Sequence, residues 1–552
     1  MVRWLDPHQL LDTAARVLAS GLLTAYHDSR ETQALVDADV IDRSEPEELW
    51  IDYVADLGDG WSSTYTVART LAQERLELDD GGTAVATRRG AILVMGGDQV
   101  YPVPTRSHYE NRLLGPYRAA RPDEAGPDEA GPRDELLAIP GSHDWYDGLV
   151  NFTNIFCRRR RLGAWQTVQS RSYFALRLPH RWWLWGLDLQ FGNYLDEAQL
   201  AYFAGAAAHM GPGHRIVVAM AKEVDSGRKS AEVCSDRSVA YLEREVVAPS
   251  GAEVALYLKS GRHHYSRYRD RTGGRQLVTA GGGGAFLHPT HTLLHRIDAP
   301  GDGEPGSFEL AAVYPSPDFS RQLRKRVWLL PAYNLPLAGA LGVIQVLLVM
   351  MLNLHRDDAH VAVGFGDVAE ALWESPTAFL LIAFIVLSFG AMIRLAHDAD
   401  GVARLLIGTG HSLLQFVGLA AVIVLASALA GTLGTGLASL AAFLLLVFVL
   451  GGVGGVLGVS GYLFLTNLAG FHANEAFAPL HHADQKNFLR LHIDTEGVLA
   501  LYPVGIERVA RRWCFRPDGE PGSPWLDPDG EVPVAHLVEA PVRFEPGPEG
   551  AG

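Results

Sequence analysis

The stretch that decides the fold is 90–102, GAILVMGGDQVYP, in which an apolar run ends abruptly in a turn of two glycines and an aspartate. A short apolar run bounded by turn residues is typical of a strand buried on both faces. The stretches 49–60, LWIDYVADLGDG, and 136–148, LLAIPGSHDWYDG, repeat this pattern. Three such strands in succession, with later ones of the same type up to residue 315, predict an α/β fold.

Polar residues that follow these strands form the candidate site, because ligands of open α/β sheets bind at the carboxyl ends of strands. In chain order they are Asp56, Asp59, Asp98, Tyr101, Ser142, His143, Asp144, His263 and His264. Each turn alone is also what an ordinary strand end shows. Together, carboxylate, phenol and imidazole groups suit Fe, Mn or Zn, and such an ion activates water for attack on a phosphoester.

Length, charge and cysteine content exclude several classes of protein. A chain of 552 residues is too long for one core and predicts two or more folded units. The net charge of −16 argues against a nucleic-acid partner, because the phosphate backbone would be repelled. Cys157, Cys234 and Cys514 lie far apart without CxxC spacing, which is typical of reduced thiols in a cytoplasmic setting.

The composition divides the chain into four regions. Residues 1–44 have the spacing of an amphipathic helix, which packs on a domain or lies at a membrane surface, and they show no cleavable signal. Residues 45–320 form the α/β domain, interrupted at 120–135 by a solvated PDEAG repeat. Residues 331–470 are apolar, and residues 471–552 form a small cytoplasmic segment that we expect to end in disorder.

The apolar region contains four segments near the length of about 20 residues that spans a bilayer. They are Leu335–Leu354, Thr377–Ile393, Leu405–Leu433 and Leu437–Leu468. Buried helices of a soluble core rarely come four together with so few charges. The sequence therefore predicts a transmembrane region of about four helices.

Flanking charges predict the orientation of this region. Residues 321–328, RQLRKRVW, precede the first segment, whereas the loop at 355–374 is mostly acidic, and Lys486 and Arg490 follow the last segment. An excess of Lys and Arg marks the cytoplasmic side. We therefore expect a multi-pass protein of the inner membrane, with both the N-terminal domain and the C-terminal tail in the cytoplasm. A second basic run, residues 158–161, is either a solvated helix face or a contact for anionic lipids.

Four short motifs carry a resemblance to a known family: DLG at 56–58, GDQVY at 97–101, GSHD at 141–144 and HHY at 263–265. They resemble the motifs DxG, GDxxY, GNH(D/E) and GHxH of calcineurin-like metallophosphoesterases in the purple acid phosphatase style. GGDQVYP, GSHDWYDGL and TAGGGGAFLHPTH are similar to those of bacterial membrane-anchored members. The resemblance implies a four-layer αββα sandwich with its site at the strand ends.

The resemblance also implies roles for particular residues. Asp98 matches the aspartate that bridges two metals in the family. Asp56, Tyr101 and His263 match the other ligands of the first metal, so that this set is complete. His143 matches the imidazole that stabilises or protonates the leaving group.

The ligands of the second metal are degraded in this chain. Ser142 stands where the family has Asn, Lys222 where it has His, and Gly261 where it has His or Asp. We expect one metal ion rather than two. Lys222, Arg262 and His264 are candidate phosphate-binding groups, and for Lys222 and Arg262 the alternative is a solvated surface position.

Around these ligands the sequence places candidate supporting residues. These are Asp59, Asp144, His288 and His291.

Three functions remain open at this point. The first is a membrane-anchored metallophosphoesterase that hydrolyses a small-molecule or lipid-linked phosphoester at the cytoplasmic face with metal-activated water. The second is a catalytically reduced relative that serves as a binding or regulatory module. The third is a membrane scaffold or channel with a vestigial domain. The intact first set favours the first two over the third, and the degraded second set favours the second over the first.

Overall fold

The computed structural model divides into two compact units. It describes residues 1–24, 33, 39–80, 82–123, 133–189, 195–222, 237–271, 274–297, 308–352, 363–376, 383, 401–434, 436–516 and 522–548. The α/β unit comprises Met1–Val2, Thr13–Ser320 and His481–Gly552, and the apolar unit comprises Arg3–Asp12 and Arg321–Leu480.

Short apolar runs form most of the strands, as the sequence predicts. In chain order the strands are β1 (Ile41–Asp42), β2 (Leu49–Val54), β3 (Arg75–Asp80), β4 (Thr83–Arg88), β5 (Ile92–Met95), β6 (Asp134–Ala138), β7 (Arg161–Leu162), β8 (Trp165–Thr167), β9 (Phe174–Arg177), β10 (Trp182–Leu187), β11 (Arg215–Met220), β12 (Glu253–Lys259), β13 (Tyr265–Asp270), β14 (Gln276–Ala280), β15 (Arg296–Ile297), β16 (Phe308–Tyr314), β17 (Lys486–Ile493), β18 (Leu499–Ile506), β19 (Trp513–Phe515), β20 (Leu526–Pro528), β21 (Ala535–Leu537) and β22 (Val542–Phe544).

Helices occur in both units, with short 3₁₀ and π turns beside several of them. They are α1 (Pro7–Thr24), α2 (Trp61–Leu71), α3 (Arg106–Tyr109), α4 (Gly115–Ala120), α5 (Val150–Phe156), α6 (Glu197–Ala207), α7 (Arg237–Leu242), α8 (Ala248–Ser250), α9 (Pro317–Arg324), α10 (Leu330–Tyr333), α11 (Leu335–Met351), α12 (Phe365–Glu374), α13 (Gly401–Gly431), α14 (Leu437–Leu468) and α15 (Ala473–Phe477). Helix α1 lies in the predicted N-terminal helical segment.

The strands of the α/β unit form two large mixed sheets. One has the order β1-β9-β10-β11-β12-β14-β13-β16-β15, and the other has the order β21-β18-β17-β2-β5-β6-β8-β7, with β22 also pairing with β18. Strands β2, β5 and β6 are parallel neighbours, as are β10, β11 and β12. The predicted α/β class is confirmed.

The two sheets pack face to face around one buried core. That core combines Ile51, Val94 and Leu137 of one sheet with Leu176, Val217 and Leu256 of the other. Helical residues cover the outer faces, with Tyr65 of α2 on one sheet and Phe203 of α6 on the other. The α/β unit therefore has four layers. The polar residues that follow its parallel strands lie outside this core.

Strands from the C-terminal segment complete one of the sheets. Strand β17 lies between β18 and β2, and its register with β2 pairs Arg490 with Asp52. Both side chains are buried, and Arg490 Nε lies 3.2 Å from an Asp52 oxygen. Breaking such a pair costs about 3–5 kcal/mol. The sequence-based division at residue 471 did not anticipate these strands, because β17 was considered only for its flanking charges.

Two helices of the apolar unit are long and apolar enough to cross a membrane, Ile407–Gly431 and Leu437–Leu468. These match the third and fourth predicted segments. Helix α11 qualifies only together with the preceding helical residues, Pro317–Tyr333, from which it bends by 59°.

The predicted set of four spanning helices is therefore not supported by the described residues, which supply two spans or at most three. Helix α11 has 17 residues. At about 1.5 Å per residue it falls short of a hydrocarbon core about 30 Å thick. The predicted segment Thr377–Ile393 lies outside the described residues, apart from residue 383.

Candidate functional site

The site begins at the turns that follow β2 and β5, which are linked by their main chains. Asp56 N donates to Gly97 O at 3.0 Å, and Leu57 N donates to Asp98 O at 2.9 Å. Asp56 and Asp98 have φ values of 57° and 49°, in the left-handed region that non-glycine residues seldom adopt. Such strained backbone costs about 1–3 kcal/mol per residue and clusters at functional sites.

The four predicted ligands of the first metal converge on the phenol oxygen of Tyr101. That oxygen lies 3.0 Å from Asp56 Oδ1, 3.3 Å from Asp98 Oδ2 and 3.0 Å from His263 Nε2. His263 Nε2 is also 3.8 Å from Asp56 Oδ1. All four side chains are buried. The structure therefore brings together two carboxylates, one phenol and one imidazole that the sequence separates by up to 207 residues.

The hydrogen bonds of His263 fix which of its nitrogens faces this cluster as an acceptor. Its Nδ1 lies 2.8 Å from the carbonyl oxygen of Phe286, which can only accept. In the neutral ring Nδ1 therefore carries the proton, and Nε2 presents its lone pair to Tyr101. Burial is the main reason that the pKa of His263 lies well below its ordinary value. This carbonyl-imidazole arrangement is the usual support of a metal-binding histidine.

The donor chemistry of this set fits a hard or borderline metal ion. Two aspartates supply negative charge, and burial followed by the charge of Asp56 raises the pKa of Tyr101 well above its ordinary value. A cation would offset both effects. Among the described residues, no group of three or more His, Cys, Asp and Glu side chains meets the geometry of a metal site. The candidate set is joined through the phenol oxygen of Tyr101, which is not one of these four residue types.

The loop after β14 is hydrogen-bonded to the turn that carries Asp56 and Asp59. Ala285 N donates to Asp56 O at 2.9 Å, and Phe286 N donates to Asp59 Oδ2 at 2.9 Å. Asp59 thus contacts the same Phe286 whose carbonyl oxygen lies against His263. A β-carbon at Gly281 would lie 2.1 Å from Asp56 Oδ2, so only glycine fits there.

His288 also contacts the histidine of this set. Its ring stacks on that of His263, with ring centroids 3.8 Å apart, and its Nδ1 accepts from His263 N at 3.2 Å. His288 therefore contacts both the ring and the main chain of His263.

Lys486 is a part of this neighbourhood that sequence reasoning missed. Its side chain is fully buried, and Nζ donates to Ala285 O at 2.5 Å. Burial lowers the pKa of Lys486 to about 8, against the opposing attraction of Asp59. A lysine that opens an apolar strand, as in KNFLRLHI at 486–493, was the available signal. Lys486 ties the C-terminal strand to the loop that orients His263.

The three residues of the degraded second set do not form a comparable cluster. Ser142 is exposed, and Lys222 is partly exposed. Gly261 has no side chain, and its φ of 85° is in the region that favours glycine. Its N–H donates to Asp56 Oδ2 at 2.9 Å, so that it serves the first set. The residues at these positions do not fit a second metal ion.

His143 and Asp144 lie close to the first set in different roles. His143 N donates to Asp98 Oδ1 at 2.9 Å, and His143 Nδ1 lies 2.7 Å from Pro102 O. Its ring is partly exposed and 4.4 Å from that of Tyr101. Asp144 is buried and accepts from Gly141 N and Gln99 N at 2.8 and 3.1 Å. Asp144 thus holds together the turns that carry Asp98 and His143.

The remaining predicted residues are less closely tied to the cluster. Arg262 is partly exposed beside His263. His264 is buried, and neither of its ring nitrogens has a hydrogen-bond partner among the described residues. Burial lowers the pKa of His264 to about 3, so it is neutral and poorly suited to bind phosphate. His291 Nδ1 lies 2.8 Å from Ser320 Oγ.

No protein-family model matches the sequence, and no curated protein matches it. Comparison with solved structures does find matches, and three of them are as follows. The GAP50 anchor of the inner membrane complex of Plasmodium is 12% identical, with a TM-score of 0.30, covering 48% of this chain and 78% of its own. The structure of PhoD is 11% identical, with a TM-score of 0.28, covering 45% of this chain and 59% of its own.

A purple acid phosphatase from yellow lupin (Lupinus luteus) seeds is 11% identical, with a TM-score of 0.30. The match covers 45% of this chain and 46% of the lupin enzyme. TM-scores this low do not establish a common fold, and identities of 11 and 12% transfer no residue roles. The interpretation of the site therefore rests on its own geometry.

Proposed function

We propose that this chain is a membrane-anchored metallophosphoesterase with one metal site, which hydrolyses a small-molecule or lipid-linked phosphoester. The observation that carries the proposal is the convergence of Asp56, Asp98 and His263 on the Tyr101 oxygen, at 3.0 to 3.3 Å. The left-handed backbone at both aspartates supports it, because such strain is retained where function needs a fixed side chain.

Four residues of the site would bind the metal ion. Asp56, Asp98, Tyr101 and His263 would hold an Fe, Mn or Zn ion. When bound, that ion would polarise a phosphoryl oxygen and lower the pKa of bound water. The Phe286 carbonyl keeps Nε2 of His263 directed at the ligand set.

Substrate binding and proton transfer would fall to the more exposed residues beside this set. The bond between His143 Nδ1 and Pro102 O orients the imidazole and keeps a proton on Nδ1, so that Nε2 of the doubly protonated ring is the atom that would give its proton to the leaving oxygen and leave a neutral imidazole. Arg262 and Lys222, both partly exposed after neighbouring strands, would bind the phosphoryl group by charge. Their charges take the place of a second metal.

The second candidate function is a catalytically reduced binding or regulatory module. The exposure of Ser142 and the lack of a side chain at Gly261 favour it, because two-metal sites stabilise both the attacking and the leaving oxygen. Turnover distinguishes the two candidates. The full chain, loaded in turn with Fe, Mn and Zn, is assayed on an aryl phosphate beside Asp98→Ala. Turnover lost in that variant supports the hydrolase, and metal binding without turnover supports the module.

We also propose that the chain crosses the membrane an even number of times. Residues Thr13–Ser320 and His481–Gly552 belong to the same compact unit, so the chain between them must leave and re-enter on one side. The basic residues at 321–326 support the cytoplasm as that side. An even number means two spans, or four if both α11 and the apolar stretch 377–393 cross.

Labelling of a cysteine at position 357 separates these two arrangements. In a background with Cys157, Cys234 and Cys514 replaced by Ser, Asp357→Cys lies between α11 and residues 377–393. Four spans predict labelling by a membrane-impermeant maleimide from outside intact cells. Labelling only after the cells are opened indicates two spans.

A further inference from the structure

The helical residues that precede α11 expose a basic and aromatic surface. We call residues 321–334 the juxtamembrane segment. Arg321, Lys325 and Arg326 are exposed, as are Trp328 (46%) and Tyr333 (40%). Among the described residues, neither Lys325 nor Arg326 forms an ion pair. Exposed aromatic and basic side chains of this kind are characteristic of the membrane-water interface.

The opposite side of the juxtamembrane segment packs within the apolar unit. Leu323, Val327 and Leu330 are buried at helical spacing. The ring of Trp328 lies 5.5 Å from that of Phe464, and the Arg324 guanidinium lies 5.8 Å from the same ring. Phe464 is one turn before the end of α14. The segment is therefore fixed at one end of a helix that is long enough to span the membrane.

A 59° bend separates this segment from α11. The bend lets α11 enter the apolar layer while the preceding residues take another direction, as expected of a helix that lies in the interface. Exposed Leu329 and Leu335 would contact acyl chains beside the basic residues. The surface thus offers positive charge and apolar contact side by side.

We propose that the juxtamembrane segment binds the headgroups of anionic lipids in the bilayer. Three exposed cations supply the charge complementarity. The aromatic and leucine side chains beside them would contact the bilayer, which favours a lipid headgroup over a soluble anion as the ligand. This surface is distinct from the phosphoesterase-like site and does not depend on metal binding or turnover.

The test measures lipid selectivity of the full chain in phosphatidylcholine bilayers. Electron spin resonance gives the association of spin-labelled phosphatidylglycerol relative to that of spin-labelled phosphatidylcholine. We expect a preference of about fivefold or more for the anionic lipid, since one basic residue near an anionic surface corresponds to about that factor. The variant Arg321→Gln, Lys325→Gln, Arg326→Gln should reduce the ratio to near one. In the unmodified chain, 0.5 M salt should also reduce the ratio, because it shortens the Debye length to about 4 Å and screens the exposed charges.

Two controls make the result decisive. Arg158→Gln, Arg159→Gln, Arg160→Gln removes the same charge from another exposed basic run and should leave the preference intact. Arg326→Lys keeps the charge and should also retain it. No preference in the unmodified chain, an unchanged ratio in the juxtamembrane variant, or a loss confined to the residue 158–160 variant would each overturn the proposal.

Discussion

The two ligand positions of the candidate site lie at the same sheet edges yet differ in burial and contacts. At the first position, Asp56 and Asp98 are buried, backed by main-chain hydrogen bonds and joined through Tyr101. At the second, Ser142 is exposed and Lys222 partly so. The same strand framework thus supports one tightly held ligand set and one open surface.

This difference shows that a ligand set also includes the hydrogen bonds that hold its ligands in place. The first position retains a complete set of supporting contacts, from Gly261 N to Asp56 and from Phe286 O to His263. Even Gly261, a degraded second-position residue, now supports the first. Changes at the first position should therefore have large effects, and changes at the second should have small ones.

The largest effect is expected from Asp98→Asn. This change removes one of two buried carboxylates and leaves an amide facing Tyr101, so that the site loses negative charge with little change of volume. We expect aryl phosphate turnover by the metal-loaded full chain to fall by at least about 100-fold. Circular dichroism serves as the control for folding, and turnover within twofold of the unmodified chain would refute the role of Asp98.

A smaller but substantial effect is expected from Lys486→Met. It removes the amine that donates to Ala285 O, next to the residue that fixes His263. Supporting contacts of metal ligands are worth about 10- to 100-fold in affinity. Isothermal titration with Zn²⁺ measures this loss in the full chain.

Lys222→Met is the matched control, because it removes the same charge from a partly exposed position. Its Zn²⁺ affinity should stay within about threefold of the unmodified chain. Equal losses in the two variants would contradict the special role of Lys486.

A moderate pH effect is expected from Asp144 in the metal-free protein. Burial, aided by the charge of Asp98, raises the pKa of Asp144 to about 8 from 3.8. The folded state therefore keeps a proton that the unfolded chain releases, and the resulting stability is present below pH 3.8 and lost as the pH rises toward 8. Thermal unfolding between pH 5 and 8 should show a fall in melting temperature with rising pH that is weaker in Asp144→Asn. An identical slope in both proteins would exclude this group as the cause.

The smallest effect is expected from Ser142→Asn, which introduces the amide found in the metallophosphoesterase motif that the sequence resembles. Since residue 142 is exposed and its neighbours at 222 and 261 offer no further ligands, the new amide has no metal to bind. The free energy of unfolding should change by less than about 0.5 kcal/mol, and metal content should not rise. A gain of a second metal ion would show that the second position is still functional.

Sequence patterns were sufficient to predict the strands that carry the site. The apolar runs before Asp56, Asp98 and His143 end where β2, β5 and β6 end, and their polar residues do meet at one edge. The α/β class follows from the same runs. These features are local, so they can be read from short stretches.

Features that depend on distant segments could not be predicted in this way. Lys486 reaches Ala285 across 201 positions, and β17 pairs with β2 beyond the entire apolar unit. The two compact units also show why a fragment of residues 1–320 is a poor test object, since it would lack β17 and β18 from the middle of a sheet. Whether an apolar helix crosses the bilayer likewise depends on its partners as well as its length.

The most direct test of the central claim is the metal content of the full chain after loading with excess Zn²⁺ or Mn²⁺ and gel filtration. Inductively coupled plasma mass spectrometry should find one metal ion per chain, none in Asp56→Asn, Asp98→Asn, and one in Ser142→Ala. Two ions per chain, or one ion that persists in the double aspartate variant, would contradict the account of a single site built on Asp56, Asp98, Tyr101 and His263.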